Sequence, residues 1–320
     1  MASLKEIKNR ITSVQSTRKI TSAMKMVASS KLHHAQQMIE NMLPYEGMLE
    51  HILKTFLASD VDAKGSITQA RPVKTVAILA FSSNSSLCGG FNANVLKLMQ
   101  KTIEDYQSQG VSVIVYPIGR KVAEKVQKLG VPVAGNFMQL ADKPSSIECA
   151  EIGRQLQSDF EGGTIDRVDM IYHHFKSAGS QILQNKTLLP IDIESAMDYD
   201  HFRDLKSTIA SEEATRYLQE HQKEREYENE QGRALNDNFI VEPDMQTILS
   251  MLVPRYVNLM VYTALLDSNA SEHAARMVAM QTATDNADEL LRTLNLQYNK
   301  SRQQAITNEL LDIVGGSVNN

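Results

Sequence analysis

Only two cysteines, Cys88 and Cys149, occur in the 320 residues. That is too few for a disulfide framework and fits a reducing compartment. No Cys or His spacing suits zinc. The adjacent pairs His33-His34 and His173-His174 point their side chains in different directions on a helix or strand, so neither makes a two-ligand face. No metal or cofactor is expected. The basic start, Met1 to Arg10, has no apolar run behind it, and no stretch is expected to reach the roughly 20 apolar residues that span a bilayer. The chain therefore reads as soluble, meeting a membrane only through partners. Neither G-x-G-x-x-G nor G-x-x-x-x-G-K-[ST] occurs, and the one Gly-Gly pair between residues 82 and 92, Gly89-Gly90, offers too little backbone approach for a pyrophosphate.

Glycine and proline, which punctuate structure, are missing from two long stretches. Met1 to Leu43 contains neither. It opens on Ser3-Leu4-Lys5-Glu6, a capping-box pattern in which hydroxyl and carboxylate satisfy free amides of a first helical turn. Leu4, Ile7, Ile11 and Val14 then recur at alternating spacings of three and four, the seam of a coiled coil, and Ile20, Met24, Val27, Met38 and Met42 are expected to continue it. Arg255 to Val314 is the second such stretch. At the helical rise these would span about 60 and about 90 Å, lengths that a compact domain does not need. Because they lie at opposite ends of the chain, they are expected to pair antiparallel.

The middle reads as α/β. Val73 to Phe81 and Val111 to Ile118 are strand-like runs. Asn92 to Gln109 and Arg120 to Leu129 are helical between and after them. Strand alternating with helix favours a parallel sheet. Ser145 to Phe160 gives a further helix, and Arg167 to Phe175 with Gln181 to Leu189 reads as an antiparallel pair turning through Ser177 to Ser180. The fold class expected is α/β: a long antiparallel coiled coil of N- and C-terminal helices with a central Rossmann-like α/β domain of about five strands. The domain boundaries expected are an N-terminal coiled-coil helix over 1–58, the α/β domain over 73–190, a charged, Glu-rich insertion over 191–237, and a C-terminal coiled-coil helix over 245–320.

Net charge is only −5, with 22% charged residues, which favours neither a nucleic-acid binder nor an acidic disordered chain. The charge is uneven, however. Met1 to Ala35 carries Lys5, Lys8, Arg10, Arg18, Lys19, Lys25 and Lys31 against one acid, Glu6, so the N-terminal helix should meet an acidic partner. The loop Ser82 to Asn92 follows a strand and precedes a helix, the place where doubly wound folds bind phosphate. Its Cys88 lacks a neighbouring base in the sequence and reads as structural. Met24, Met26, Met38, Met42, Met277 and Met280 lie on the expected helices, where a methionine stripe is more often adaptable packing than a binding surface; both readings stand here, since such side chains also fit non-equivalent partners.

Two long segments now carry a family resemblance. Ile7 to Leu32 resembles the N-terminal signature of the ATP synthase gamma subunit family, and Ser271 to Val314 its C-terminal signature. Leu87 to Asn92 and Arg167 to Phe175 match in the same order. The resemblance implies a non-catalytic rotor shaft of F-type, proton-translocating ATP synthase. Its partners would be three alpha and three beta subunits, the epsilon subunit and the c-ring, at the cytoplasmic face of the bacterial inner membrane. It further implies that Arg302, Gln303 and Thr307 contact beta-subunit loops, that Met24 and Lys25 pass the acidic beta lever, and that Arg276 stabilises the shaft.

Three departures stand out. Asn84-Ser85-Ser86 stands where the family commonly has an Asp-Arg-Gly run, so the resemblance does not carry over a salt bridge at that place. The 191–237 insertion is placed like the regulatory insertion of chloroplast gamma subunits, yet contains no cysteine for a thiol switch. The tail ends in the polar Ser317-Val318-Asn319-Asn320. Two other readings remain open at this stage: a Rossmann-like enzyme with a coiled-coil arm, against which the missing phosphate loop counts, and a nucleic-acid-binding or chaperone arm, supported only by the basic N-terminal helix because aromatics are sparse and no recognition motif is present.

Overall fold

A computed structural model of the chain describes residues 3–59, 71–191 and 241–317. The 191–237 insertion thus lies, but for Ile191, outside the described residues. The chain divides into two compact units: Met1–Ser29 with Arg276–Asn320, and Ser30–Ala275.

The larger unit is built on a four-stranded mixed sheet, ordered β2-β1-β3-β4. Its strands are β1 (Thr75–Phe81), β2 (Ser112–Ile118), β3 (Arg167–Ser177) and β4 (Ser180–Leu189). Both β2 and β3 run parallel to β1, while β3 and β4 form an antiparallel hairpin. About five strands were expected. The four runs assigned from the sequence are the four strands found among the described residues, and beside β2 only an isolated bridge, Val115 with Val133, extends the pairing.

Pleating sends alternate side chains to opposite faces, and both faces are apolar, as a sheet covered on two sides requires. Val76, Ile78 and Ala80 of β1 join one buried cluster with Val95, Met99 and Ile103 of α2 (Phe91–Ser108) and Val122 and Val126 of α3 (Arg120–Leu129). Ala77, Leu79 and Phe81 join the other, with Ile152, Leu156 and Phe160 of α4 (Ser146–Glu161). The start of α4 is fixed by Ser145, whose hydroxyl accepts the Glu148 N–H, a helix cap that leaves one fewer amide unpaired.

The two long helices run past the glycine- and proline-free stretches that marked them. Helix α1 runs Leu4–Ser59 through Pro44, and α5 runs Met245–Ser317 through Pro254. A proline inside a helix costs about 3 kcal/mol, so tertiary packing has to continue the helix past it. That packing is visible: Leu49 and Leu53 beyond Pro44, and Leu249 and Val253 before Pro254, are all buried in the α4-side cluster. Ser3 caps α1 as its pattern suggested, its hydroxyl accepting the Glu6 N–H at 3.2 Å, and Asp244 caps α5 by accepting the Thr247 N–H at 2.8 Å.

The expectation that no stretch is apolar enough to span a bilayer needs correction. By length and composition alone α5 is long and apolar enough to cross a bilayer, and half of its most apolar stretch is buried in the protein. Packing accounts for this composition, because Val257, Leu259, Met260, Val261, Ala264 and Leu265 all enter the α4-side core, and a helix covered on most sides is apolar on most sides.

Candidate partner-binding surface

In the smaller unit, α1 and α5 run antiparallel. Arg18 pairs with Asp288 at 2.8 Å and Thr21 with Thr284 at 2.8 Å, so one helix number rises as the other falls. On α1, Leu4, Ile7, Ile11, Val14, Arg18, Thr21, Lys25 and Ala28 are buried or half-buried in a three-and-four alternation, with Ser22 and Met24 half-buried beside it. On α5, Met280, Thr284, Ala287, Leu291, Leu294 and Tyr298 follow the same spacing, with Asp288 half-buried beside them.

This seam differs from the one expected after Val14. Ile20 and Val27 are not on it but stand 59% and 58% exposed, and Met26 is 64% exposed. The reason is registration: Ile20 and Val27 each lie one residue off the alternation, about 100° round the helix, and polar or small residues occupy the seam instead. Met24 and Lys25 are half-buried beside this exposed set. Met38 and Met42, in the larger unit, are half-buried, and Met42 packs on the α4-side core.

On α5, Arg302, Gln303 and Thr307 are all exposed. The Thr307 hydroxyl donates to the Gln303 backbone carbonyl at 2.9 Å, a bond that satisfies the hydroxyl within its own helix. Around them Leu296, Ile306, Leu310 and Leu311 are exposed as well, Leu296 at 72%. Large apolar side chains exposed in number along one helix mark a surface that another molecule covers. From the Thr21 to Thr284 pairing, Met24 and Lys25 lie level with about position 281, so Arg302 is roughly 30 Å further along α5. The residues assigned to the beta subunit therefore form two separate patches. Arg276 is half-buried and engaged by neighbours.

The loop after β1 is closed on itself. Asn92, from the first turn of α2, accepts the Ser83 N–H at 3.0 Å and donates to the Ser83 hydroxyl at 2.8 Å, to the Ser85 carbonyl at 3.3 Å and to Cys88 Sγ at 3.1 Å. Cys88 is buried among these groups, none of which is a base. Asn84 takes over where the family resemblance lacked its Asp-Arg-Gly run: its side chain accepts the Arg120 N–H at 2.8 Å, capping α3, and donates to Asp142 at 2.6 Å. Gly119 at φ +97 is required beside it, since a Cβ there would meet the Ser82 carbonyl oxygen at 2.0 Å.

A histidine does reach this loop, which the sequence alone did not place. His173 of β3 stacks on Phe91 with ring centroids 4.6 Å apart, and burial pushes its pKa down to about 4. It is thus a neutral packing ring. His174, next to it, bonds Asp267 of α5 at 2.9 Å. Burial likewise raises the Cys149 thiol to about 12, far from a thiolate. Among the described residues no cluster of His, Cys, Asp or Glu could hold a metal ion.

The sequence profile described as ATP synthase matches residues 3–318. This chain belongs to the ATP synthase gamma-chain family. The ATP synthase gamma chain of Bacteroides thetaiotaomicron is 51% identical over 319 residues, covering 99% of this chain and 100% of the relative. That of Flavobacterium psychrophilum is 39% identical, covering 99% and 98%. Among solved structures, the gamma-chain fold is shared with a chain of the Euglena gracilis mitochondrial ATP synthase, solved with OSCP, F1 and c-ring, at a TM-score of 0.59 and 17% identity, over 98% of this chain and 93% of that one. A chain of the Tetrahymena thermophila mitochondrial ATP synthase central stalk and c-ring matches at 0.54 and 22% identity, over 82% and 99%.

Proposed function

We propose that this gamma-family chain is the central rotor shaft of an F-type, proton-translocating ATP synthase, itself non-catalytic, coupling c-ring rotation to ATP synthesis or hydrolysis at the beta subunits. Its partners are three alpha and three beta subunits, the epsilon subunit and the c-ring. Through them it sits peripherally at the cytoplasmic face of the bacterial inner membrane. The observation that carries this reading is the surface of the smaller unit, an antiparallel helix pair whose seam is closed while Ile20, Met26, Val27, Leu296, Leu310 and Leu311 remain exposed. Such side chains await a surrounding surface.

A single asymmetric helix pair within a ring of three equal catalytic sites touches each site differently. Because a ligand shifts an equilibrium only by its differential affinity for the states, each orientation of the shaft favours a different conformation at each site, and turning it exchanges them. Met24 and Lys25 pass the acidic beta lever, their approach steered by the basic N-terminal segment and screened by salt. Arg302, Gln303 and Thr307 hold beta-subunit loops, and Arg276 stabilises the shaft. ATP chemistry belongs to the beta subunits.

The test is Gln303→Ala with Thr307→Ala in the assembled complex. Neither side chain enters a core, so the chain keeps its fold while ATP-driven proton pumping falls, each truncation costing on the order of 1 kcal/mol of contact with the ring. Wild-type turnover and pumping would remove these residues from the contact.

A further inference from the structure

The seam of the smaller unit is apolar at both ends and polar between. On one side of the interruption lie Ile7, Ile11 and Val14 with Ala287, Leu291 and Leu294; on the other lie Ala28 and Met280. The interruption runs over Arg18, Thr21 and Lys25 on α1 and Thr284 on α5, with the half-buried Asp288 beside it, and Arg18, Thr21, Thr284 and Asp288 pair across it. Arg18 donates to Asp288 Oδ1 at 2.8 Å. Thr21 and Thr284 share a hydrogen bond at 2.8 Å, and their hydroxyls also lie 3.1 Å from the Arg18 carbonyl and 2.8 Å from the Met280 carbonyl. Each hydroxyl has one proton, so one threonine donates across the seam while the other donates back to its own helix. The set is closed.

These pairs contribute little as stability. Both members of the ion pair are over 40% exposed, and such pairs are weak and salt-screened. What they contribute is discrimination. The apolar positions recur with the same three-and-four spacing on both helices, so sliding one helix by a turn, about 5.4 Å, again brings aliphatic side chains against aliphatic side chains. The same slip takes Asp288 away from Arg18 to the level of Val14 and leaves the buried Thr21 without Thr284. A polar residue at a seam position is the known device by which coiled coils choose one register at some cost in stability.

We propose that Arg18–Asp288 and Thr21–Thr284 form a register lock, making these four residues positioning residues of the rotor: they hold α1 and α5 at one axial offset, so that the exposed set of α1 keeps a constant angle and height relative to that of α5. This rests on the rotor reading, because a shaft whose two helices slip under load delivers its torque to no defined site.

The experiment uses the assembled complex and two disulfide reporters. Ile11→Cys with Leu294→Cys reports the observed register, and Ile11→Cys with Leu291→Cys reports the slip of one turn that carries Asp288 to Val14, since a disulfide needs Cα atoms about 4.4–6.8 Å apart. With all four lock residues present, oxidation yields only the first product. In Arg18→Asp with Thr21→Val, and separately in the shape-preserving Thr21→Val with Thr284→Val and Asp288→Asn, the second product rises to an amount comparable with the first, and protons pumped per ATP fall. The charge-exchanged Arg18→Asp with Asp288→Arg, threonines intact, returns to the first product alone. Persistence of the first product alone in both slipping variants would overturn the lock. A register that slips while pumping per ATP stays unchanged would uphold the lock and overturn the rotor reading instead.

Discussion

Individual residues show where the sequence is legible and where it is not. Leu4, Ile7, Ile11 and Val14 announce the seam because they are apolar at the right spacing. Arg18, Thr21 and Lys25 continue it unannounced, since a polar residue at a seam position looks like a surface residue until its partner is known, and here the partners of Arg18 and Thr21 lie 270 and 263 residues away. His173 was equally opaque. Its neighbour Phe91 is distant in sequence, and only the parallel pairing of β1 with β3 brings the two together. One consequence is measurable. The folded pKa of about 4 lies below the ordinary 6.5, so between those values the unfolded chain binds more protons and stability rises with pH. The stabilisation is complete above about 6.5 and lost as pH falls toward 4, at most about 3 kcal/mol. Denaturant unfolding at pH 4.5 and pH 7.5 should show this loss in the parent and a smaller one in His173→Gln; equal pH dependence in both would assign the slope to other groups.

Elements were better foretold than their ends. All four strands and α2, α3 and α4 lie within a few residues of their expected positions, because each is bounded by glycine, proline or a cap and has a periodic apolar face. The glycine- and proline-free runs end at Leu43 and begin at Arg255, yet α1 and α5 continue through Pro44 and Pro254, because the packing that overrides a proline is a property of the whole core. The contact between α4 and α5 makes a second prediction. Gly153 faces Asn258 so closely that a Cβ would lie 3.1 Å from the Asn258 Cα and 2.1 Å from its Oδ1. Asn258 can turn its side chain aside, but the backbone cannot yield as cheaply. Gly153→Ala should therefore cost about 1–3 kcal/mol, as overpacking does, and Gly153→Ala with Asn258→Ala should recover only part of it. Urea unfolding reads both, and an unchanged midpoint for Gly153→Ala would mean that the helices separate freely.

For the molecule as a whole, the informative features are an excess and an absence. Basic charge is concentrated in the first 35 residues of a chain whose net charge is −5, and the sequence contains no phosphate-cradling motif. Physical reading alone could take this as far as a two-helix arm with an α/β domain and an acidic partner; the two terminal signatures and the 51% identical relative supply the family. The central claim is that this chain works inside an ATP synthase as its non-catalytic rotor. Its most direct test is recovery of the tagged chain from gently solubilised native membranes, with partner masses and ATPase activity read on the same sample. Alpha and beta subunits in threefold excess over this chain, with ATPase activity in the recovered complex and none in the isolated chain, is the result expected. Recovery of the chain alone, or with nucleic acid and without ATPase activity, would contradict it.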